Sequence, residues 1–245
     1  SAITPQSAYL QYRQLLAGAP LYIQFTGSGE EKTACAVFRE AFATVGRRYT
    51  ENPSTRVHPL SEAPVAELVE RMDVGQSKMV LGFGCGFGTG DPRIPAMRLM
   101  TAVLGGTPHS KLFLNVREKR SLCYYCVSVM EASKGILLID CGIEHANIEA
   151  ARQEILFQLQ EMQKGNISQE EIQNALLSLQ NSYATIYEYD SAIESFYLGQ
   201  LLAGRSATPE EESRRLLSVT KEDIQAAANA VKLETVYVLT GKEAS

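Results

Sequence analysis

The chain has 245 residues, a formal net charge of −5 at pH 7 and no tryptophan. That length suits one large domain or two small ones. Lys and Arg are interleaved with Glu and Asp rather than gathered into the basic stripe of a nucleic-acid surface, and no apolar run approaches the ~20 residues needed to span a bilayer.

Residues 5 to 17 read as a helix with Tyr9, Leu10, Tyr12, Leu15 and Leu16 toward one side. Ala19-Pro20 breaks it, and Leu21 to Thr26, with Tyr22, Ile23 and Phe25, has strand composition. The Gly27-Ser28-Gly29 turn leads to a second helix over about 30 to 45. Residues 46 to 64 are rich in Arg, Pro, Ser, Asn and Glu and have no period. The best boundary in the chain lies here, with 51–64 as linker. Ser1 to Gln6 shows neither an initiator Met nor a charged-then-apolar leader, so further residues are expected upstream.

Residues 65 to 72 have no clear type. Ser77 to Phe87 is a strand candidate with Gly82, Gly84, Gly86 and Gly88 at every second position. One face is thereby bare and open to close approach, and Leu81, Phe83, Cys85 and Phe87 occupy the other. A nucleotide loop is excluded, because no register gives Gly-x-Gly-x-x-Gly and no Lys-Ser/Thr follows. Asp91-Pro92 then opens a helix with Asp91 as N-cap.

The most informative stretch is Leu104 to Ser128. Gly105-Gly106 breaks the chain, and Ser110 caps a short amphipathic helix whose Leu112, Phe113 and Val116 face a core. Arg117 sits at the end of that helix, and Tyr124 near the start of the strand from Leu122 to Met130. A helix end, a turn and a strand start separate them, a corner able to aim a guanidinium and a phenol at one place. A permanent cation with a fork of donors and a neutral donor suit a carbonyl oxygen that gains charge in acyl transfer. The competing reading makes Arg117 one of three basic residues on a solvated helix end, with Lys119 and Arg120, and Tyr124 an ordinary strand aromatic.

Lys134 to Ile143 reads as a buried strand, in an antiparallel hairpin with 122–130 across Glu131 to Ser133. The cysteines, Cys35, Cys85, Cys123, Cys126 and Cys141, are odd in number and lie mostly in apolar runs. They read as reduced thiols of a cytoplasmic protein. Cys123-x-x-Cys126 is a weak redox or metal candidate, because strand residues three apart point to opposite faces.

Asn147 caps a long helix ending at Lys164, before Gly165. Ser168 with Glu171, and Ser191 with Glu194, are capping-box patterns for two more helices. Thr208-Pro209 and Thr220 open a further two, and Thr235 to Thr240 is a last strand. Thr4 to Gly27 and Thr220 to Gly241 echo one another: cap, helix, then LYIQFTG or VYVLTG. Strands near 21–26, 78–87, 122–130, 134–143 and 235–240 would form a largely antiparallel sheet covered on one face by helices, a two-layer α+β domain.

On Leu104-Gly105-Gly106, Ser110-Lys111-Leu112-Phe113, Val116-Arg117-Glu118-Lys119 and Leu122-Cys123-Tyr124, the chain resembles the second half-domain of the pitrilysin/insulinase zinc peptidases, which include the mitochondrial processing peptidases. The order of elements fits from about residue 66 to 242. Cys123, where relatives commonly carry Gly, and Thr107-Pro108-His109 depart from the family pattern. The resemblance implies the α+β fold shared by LuxS and the mitochondrial processing peptidases. It also implies a non-catalytic half of a zinc-dependent endopeptidase, acting on extended peptides. In it Arg117 and Tyr124 would bind the substrate carbonyl and oxyanion, beside a zinc held in an N-terminal catalytic half or a homologous zinc-binding subunit. Residues 1–50 would be the helix–strand–helix tail of a preceding half-domain or an added layer, and 65–245 the half-domain itself.

The family's zinc ligands come from an inverted H-x-x-E-H and a later Glu, and none of His58, His109 or His145 sits in such a motif. No metal or cofactor is therefore expected in this chain, and alone it would be inactive. The alternative is a structural or protein-interaction subunit of the same fold without peptidase activity; a third idea is a free-standing domain that pairs a strand edge with extended peptides.

Overall fold

The computed structural model describes residues 3–48 and 57–241. The chain divides into two compact units, one of Ser1–Thr55 and Tyr187–Gly199, the other of Arg56–Ile186 and Gln200–Ser245. The linker residues 51–56 lie outside the described residues.

In the smaller unit, α1 (Pro5–Gly18) starts at a reciprocal capping box between Thr4 and Ser7, and α2 is Glu31–Ala43. Neither helix buries a residue. The strand expected at 21–26 is not formed: the segment has no regular structure, and Leu21, Tyr22, Ile23 and Phe25 are exposed. Its composition favours extended backbone, but a strand exists only where another strand takes its hydrogen bonds.

The larger unit carries a five-stranded mixed sheet in the order β1-β5-β2-β4-β3. The strands are β1 (Ala66–Met72), β2 (Ser77–Gly84), β3 (Cys123–Glu131), β4 (Ile136–Ile143) and β5 (Lys232–Gly241). The run of undecided type at 65–72 is thus the edge strand. It pairs parallel to β5, which brings one parallel pairing into an otherwise antiparallel sheet. All seven β1 residues are exposed, and this is why no alternation marks it in the sequence.

One sheet face is the core. Met79, Leu81 and Phe83 of β2 stand opposite Cys141, Ile139 and Leu137 of β4, and Val236 and Val238 of β5 continue the row; all are buried. Helices supply the second layer: α3 (Ile94–Thr101), α4 (Ile148–Gln163), α5 (Gln169–Ala184), the C-terminal end of α6 (Asp190–Leu202), α7 (Pro209–Leu216) and α8 (Lys221–Ala230). Met97, Met100, Ile155, Leu159, Met162 and Ile224 of these helices are buried. Capping boxes open α5 (Ser168, Glu171), α7 (Thr208, Glu211) and α8 (Thr220, Asp223).

Two expected caps move. Asp91 closes a turn ahead of α3, accepting from the Arg93 amide at 2.9 Å, and the helix begins at Ile94. Ser191 lies inside α6 and is not its cap. The bare glycine face of β2 is used as its composition implies. A Cβ on Gly84 or Gly86 would meet Leu60 at 3.0 to 3.2 Å, and one on Gly88 would meet Val57 at 2.7 Å. Residues 57–61 are therefore laid against the sheet, with the His58 amide donating to Lys134 O and the Ser61 amide to Glu234 Oε1.

Candidate functional site

The corner between the short helix and β3 is built from the core outward. Gly105 lies in a π-wound extension of α3, Ala102–Gly106, pressed onto β3; a Cβ there would stand 2.8 Å from the Ser128 amide nitrogen. The Ser128 hydroxyl in turn donates to Thr101 O at 2.7 Å. Ser110 opens the next helix, its carbonyl accepting from the Leu114 amide at 2.9 Å. From Phe113 to Lys119 this helix is also π-wound, a wide turn often found at functional sites. Leu112 and Val116 are fully buried beneath it. The chain leaves it through Ser121 at φ +50°, a left-handed conformation, while the Leu122 amide donates back to Val116 O.

Three polar ties hold the corner to the helical layer. Lys111 Nζ is 2.9 Å from Glu171 Oε1 on α5, with both side chains mostly buried. Asn115 donates to Gln158 Oε1 of α4 at 3.2 Å. Arg120 Nη2 is 3.0 Å from Oε2 of Glu154, itself buried in α4. Arg120 is therefore a structural ion-pair partner, whereas the sequence grouped it with the solvated bases.

Arg117 stands at the far end of this helix with its side chain 41% exposed. Its guanidinium lies over the Phe113 ring, 4.7 Å from the centroid, and Nε is 3.7 Å from Glu118 Oε1. Tyr124 projects to solvent from β3, and its hydroxyl donates to Glu144 Oε1 at 3.1 Å. The Glu144 carboxylate pushes the phenol above its usual range, so Tyr124 is a proton-bearing donor at neutral pH. The two side chains are thus anchored on different neighbours.

The strand start contains a feature that strand periodicity misses. Cys123 pairs with Ile143, Tyr125 with Gly142 and Cys126 with Cys141, so Tyr124 is the extra residue of a β-bulge. The bulge returns Cys123 to the face of Cys126 and Cys141. The expectation that Cys123 and Cys126 point to opposite faces is corrected by this one inserted residue. It also explains the outward reach of Tyr124.

Zinc does not fit the described residues, among which no group of three His, Cys, Asp or Glu side chains could hold a metal. His145 lies in a 3₁₀ turn, where Nδ1 is hydrogen-bonded to Ser77 and is 3.2 Å from Thr240 Oγ1. His58 is 3.5 Å from Glu234 and belongs to the segment laid on the sheet. Glu144 and the Glu154–Arg120 pair were missed by sequence reasoning, since nothing in their spacing marks a charge that will be buried or opposed to a phenol. Among the described residues no helix is long and apolar enough to cross a membrane.

The chain is 30% identical, over 98% of its length, to "Probable inactive metalloprotease YmfF" of Bacillus subtilis. It superposes with a TM-score of 0.87 and 28% identity on a conserved protein from Enterococcus faecalis, over 99% of this chain. A peptidase M16 inactive domain from Pseudomonas fluorescens, 20% identical, shares the fold with a TM-score of 0.70 over 89% of this chain. The chain spans 56%, 57% and 52% of these longer proteins, respectively. Residues 2–179 match the family model described as the peptidase M16 inactive domain, and with the Bacillus subtilis relative this establishes that the chain belongs to the inactive-domain family of the M16 zinc peptidases.

Proposed function

We propose that this chain is the zinc-free half of a zinc-dependent endopeptidase, and that Arg117 and Tyr124 hold the substrate carbonyl in a site completed elsewhere. The observation that carries the reading is the corner itself: a guanidinium and a protonated phenol, both reaching solvent, presented by a wide helical turn and a β-bulge. Two such donors stabilise an oxyanion more than the ground-state carbonyl, because charge develops only as the carbonyl is attacked. In this reading zinc belongs to an N-terminal catalytic half or a homologous zinc-binding subunit. The substrate is an extended peptide, and neither nucleic acid nor a membrane is a partner. Residues 1–50 are the tail of the preceding half or an added layer, 51–64 the linker and 65–245 the half-domain. The free thiols favour a cytoplasmic location.

The test is kinetic, on the protein assembled with its zinc-binding half. Arg117→Ala and Tyr124→Phe are each expected to lower kcat by ~10²–10³ with zinc content unchanged. Full turnover in both variants removes the assignment. The name of the Bacillus subtilis relative, an inactive metalloprotease, favours a second reading in which the chain is a structural or interaction subunit. A zinc and peptidase assay of the chain alone and of the assembled protein separates the two.

A further inference from the structure

The edge strand β1 has a property that the corner does not account for. It ends the strand order, so among the described residues its outer row of amides and carbonyls has no strand beside it. All seven of its residues are exposed, and three of them, Leu68, Val69 and Met72, are large and apolar. Burial within this chain therefore explains none of the three. An open edge is a template for another strand, and natural sheets blunt it with lysine, proline or a bulge. Residues 66–72 contain neither lysine nor proline, and their pairing with β5 runs without a shift of register. Two of the charges that are present are engaged within the fold. Glu67 accepts from Arg152 Nη2 of α4 at 2.6 Å, and Glu70 from the Tyr237 hydroxyl at 2.6 Å. The strand also carries both signs of charge, and their spacing decides what the edge can accept.

We propose that β1 is the contact strand of a homodimer, in which two copies pair antiparallel about a two-fold axis through Val69 and join their sheets into one. An axis perpendicular to the sheet keeps each face with its own kind, so only residues an even number apart can stand opposite. Centring on Val69 uses all seven residues of the strand. It sets Glu67 opposite Arg71 of the second copy, and Arg71 opposite its Glu67, on the face that Arg152 shares. Ala66 then opposes Met72, and Leu68 opposes the stem of Glu70, whose carboxylate is turned to Tyr237. The neighbouring registers are worse. Centring on Glu67, Glu70 or Arg71 opposes a charge to itself, and centring on Leu68 sets Glu67 against Val69 and Arg71 against Val65. Opposite charges directly across an antiparallel pair stabilise it and like charges destabilise it, so the sequence of the strand selects one self-pairing. The contact is isologous and closes at two copies. A single pair of such strands buries less than the ~1,200–2,000 Å² of a stable interface, so the dimer is a weak one. The proposal rests on β1 alone and does not depend on whether Arg117 and Tyr124 bind a carbonyl.

The test is sedimentation equilibrium of the 245-residue chain from about 10 to 500 µM. The weight-average mass is expected to rise with concentration from 26.9 kDa toward twice that value. Glu67→Arg and Arg71→Glu should each weaken association about tenfold or more, because each sets like charges opposite at both symmetry-related positions. An equimolar mixture of these two variants should associate again, since one strand then carries only cations at 67 and 71 and the other only carboxylates. The double variant, with both changes in one chain, should dimerise as wild type does. Val69→Lys, which places two ammonium groups at the axis, should stay monomeric. All these positions are exposed, and rescue on mixing is a readout that misfolding cannot give. A chain that is monomeric throughout overturns the proposal, as do single variants that associate like wild type, or a mixture no stronger than either variant alone. Association that appears only with the zinc-binding half overturns it too, and gives the edge to that half.

Discussion

Arg120 and Glu154 show how a side chain that looks solvated carries the corner. Glu154 is buried, so its charge is tolerable only with the guanidinium 3.0 Å away and the Gln158 amide donating to its other oxygen at 2.7 Å. Arg120 itself is more than half exposed, which screens the pair. Arg120→Ala is expected to lower stability by about 1–3 kcal/mol in urea unfolding, since it strands a buried charge. Adding Glu154→Gln should recover part of that loss. At Tyr124 the opposing carboxylate sets the protonation state. The hydrogen bond the phenol donates to Glu144, lost on ionisation, and then the repulsion between the two negative charges raise the Tyr124 pKa. Glu144→Gln is therefore expected to bring it back down toward the ordinary phenol value, read by NMR of ring-labelled tyrosine.

Among the elements, the decisive contacts are those where backbone meets backbone. Gly105 allows the end of α3 to lie on β3, with the Ser128 amide and a Leu112 methyl where a Cβ would go. Gly105→Ala forces a rigid strand and a packed helix apart and is expected to cost about 1–3 kcal/mol in denaturant melts. Helix starts behave more locally. Thr220→Ala removes the α8 cap, an expected loss of about 1 kcal/mol. Asp223, the other half of that box, has its pKa lowered by hydrogen bonds from the Thr220 amide and hydroxyl. A carboxylate lowered on folding stabilises fully above its unfolded value, and that share is lost as pH falls through the lowered folded value. Urea melts of wild type and Asp223→Asn should accordingly converge at the acid end and separate toward neutrality.

At the scale of the whole molecule, the informative contrast is between the two echoed segments. Thr4 and Thr220 cap helices in the same reciprocal way, so that half of the motif forms in both places. Residues 232–241 then become a central strand between β1 and β2, whereas 21–26, of similar composition, stays irregular. Pairing, not propensity, makes the difference. If 21–26 completes a sheet of the preceding half, its amides should gain slow hydrogen exchange on assembly with the zinc-binding half and show none in the chain alone. Protection already present in the chain alone would mean that the segment is an added layer of its own.

Local rules carried most of the elements, because their determinants lie within one turn or one strand. Capping boxes at Ser168, Thr208 and Thr220, alternation along β2 and β4, and the paired glycines before Ser110 are all legible from neighbouring residues. The β3–β4 hairpin was legible too, but not its register, because the turn is four residues between Glu131 and Ile136 rather than Glu131 to Ser133. Tertiary structure alone decided the parallel pairing of β1, the unpaired state of 21–26, the bulge at Tyr124 and the burial of Glu154. Each of these depends on a partner far away in the sequence or on one residue's slip in register, and neither composition nor period encodes which distant backbone a segment will meet.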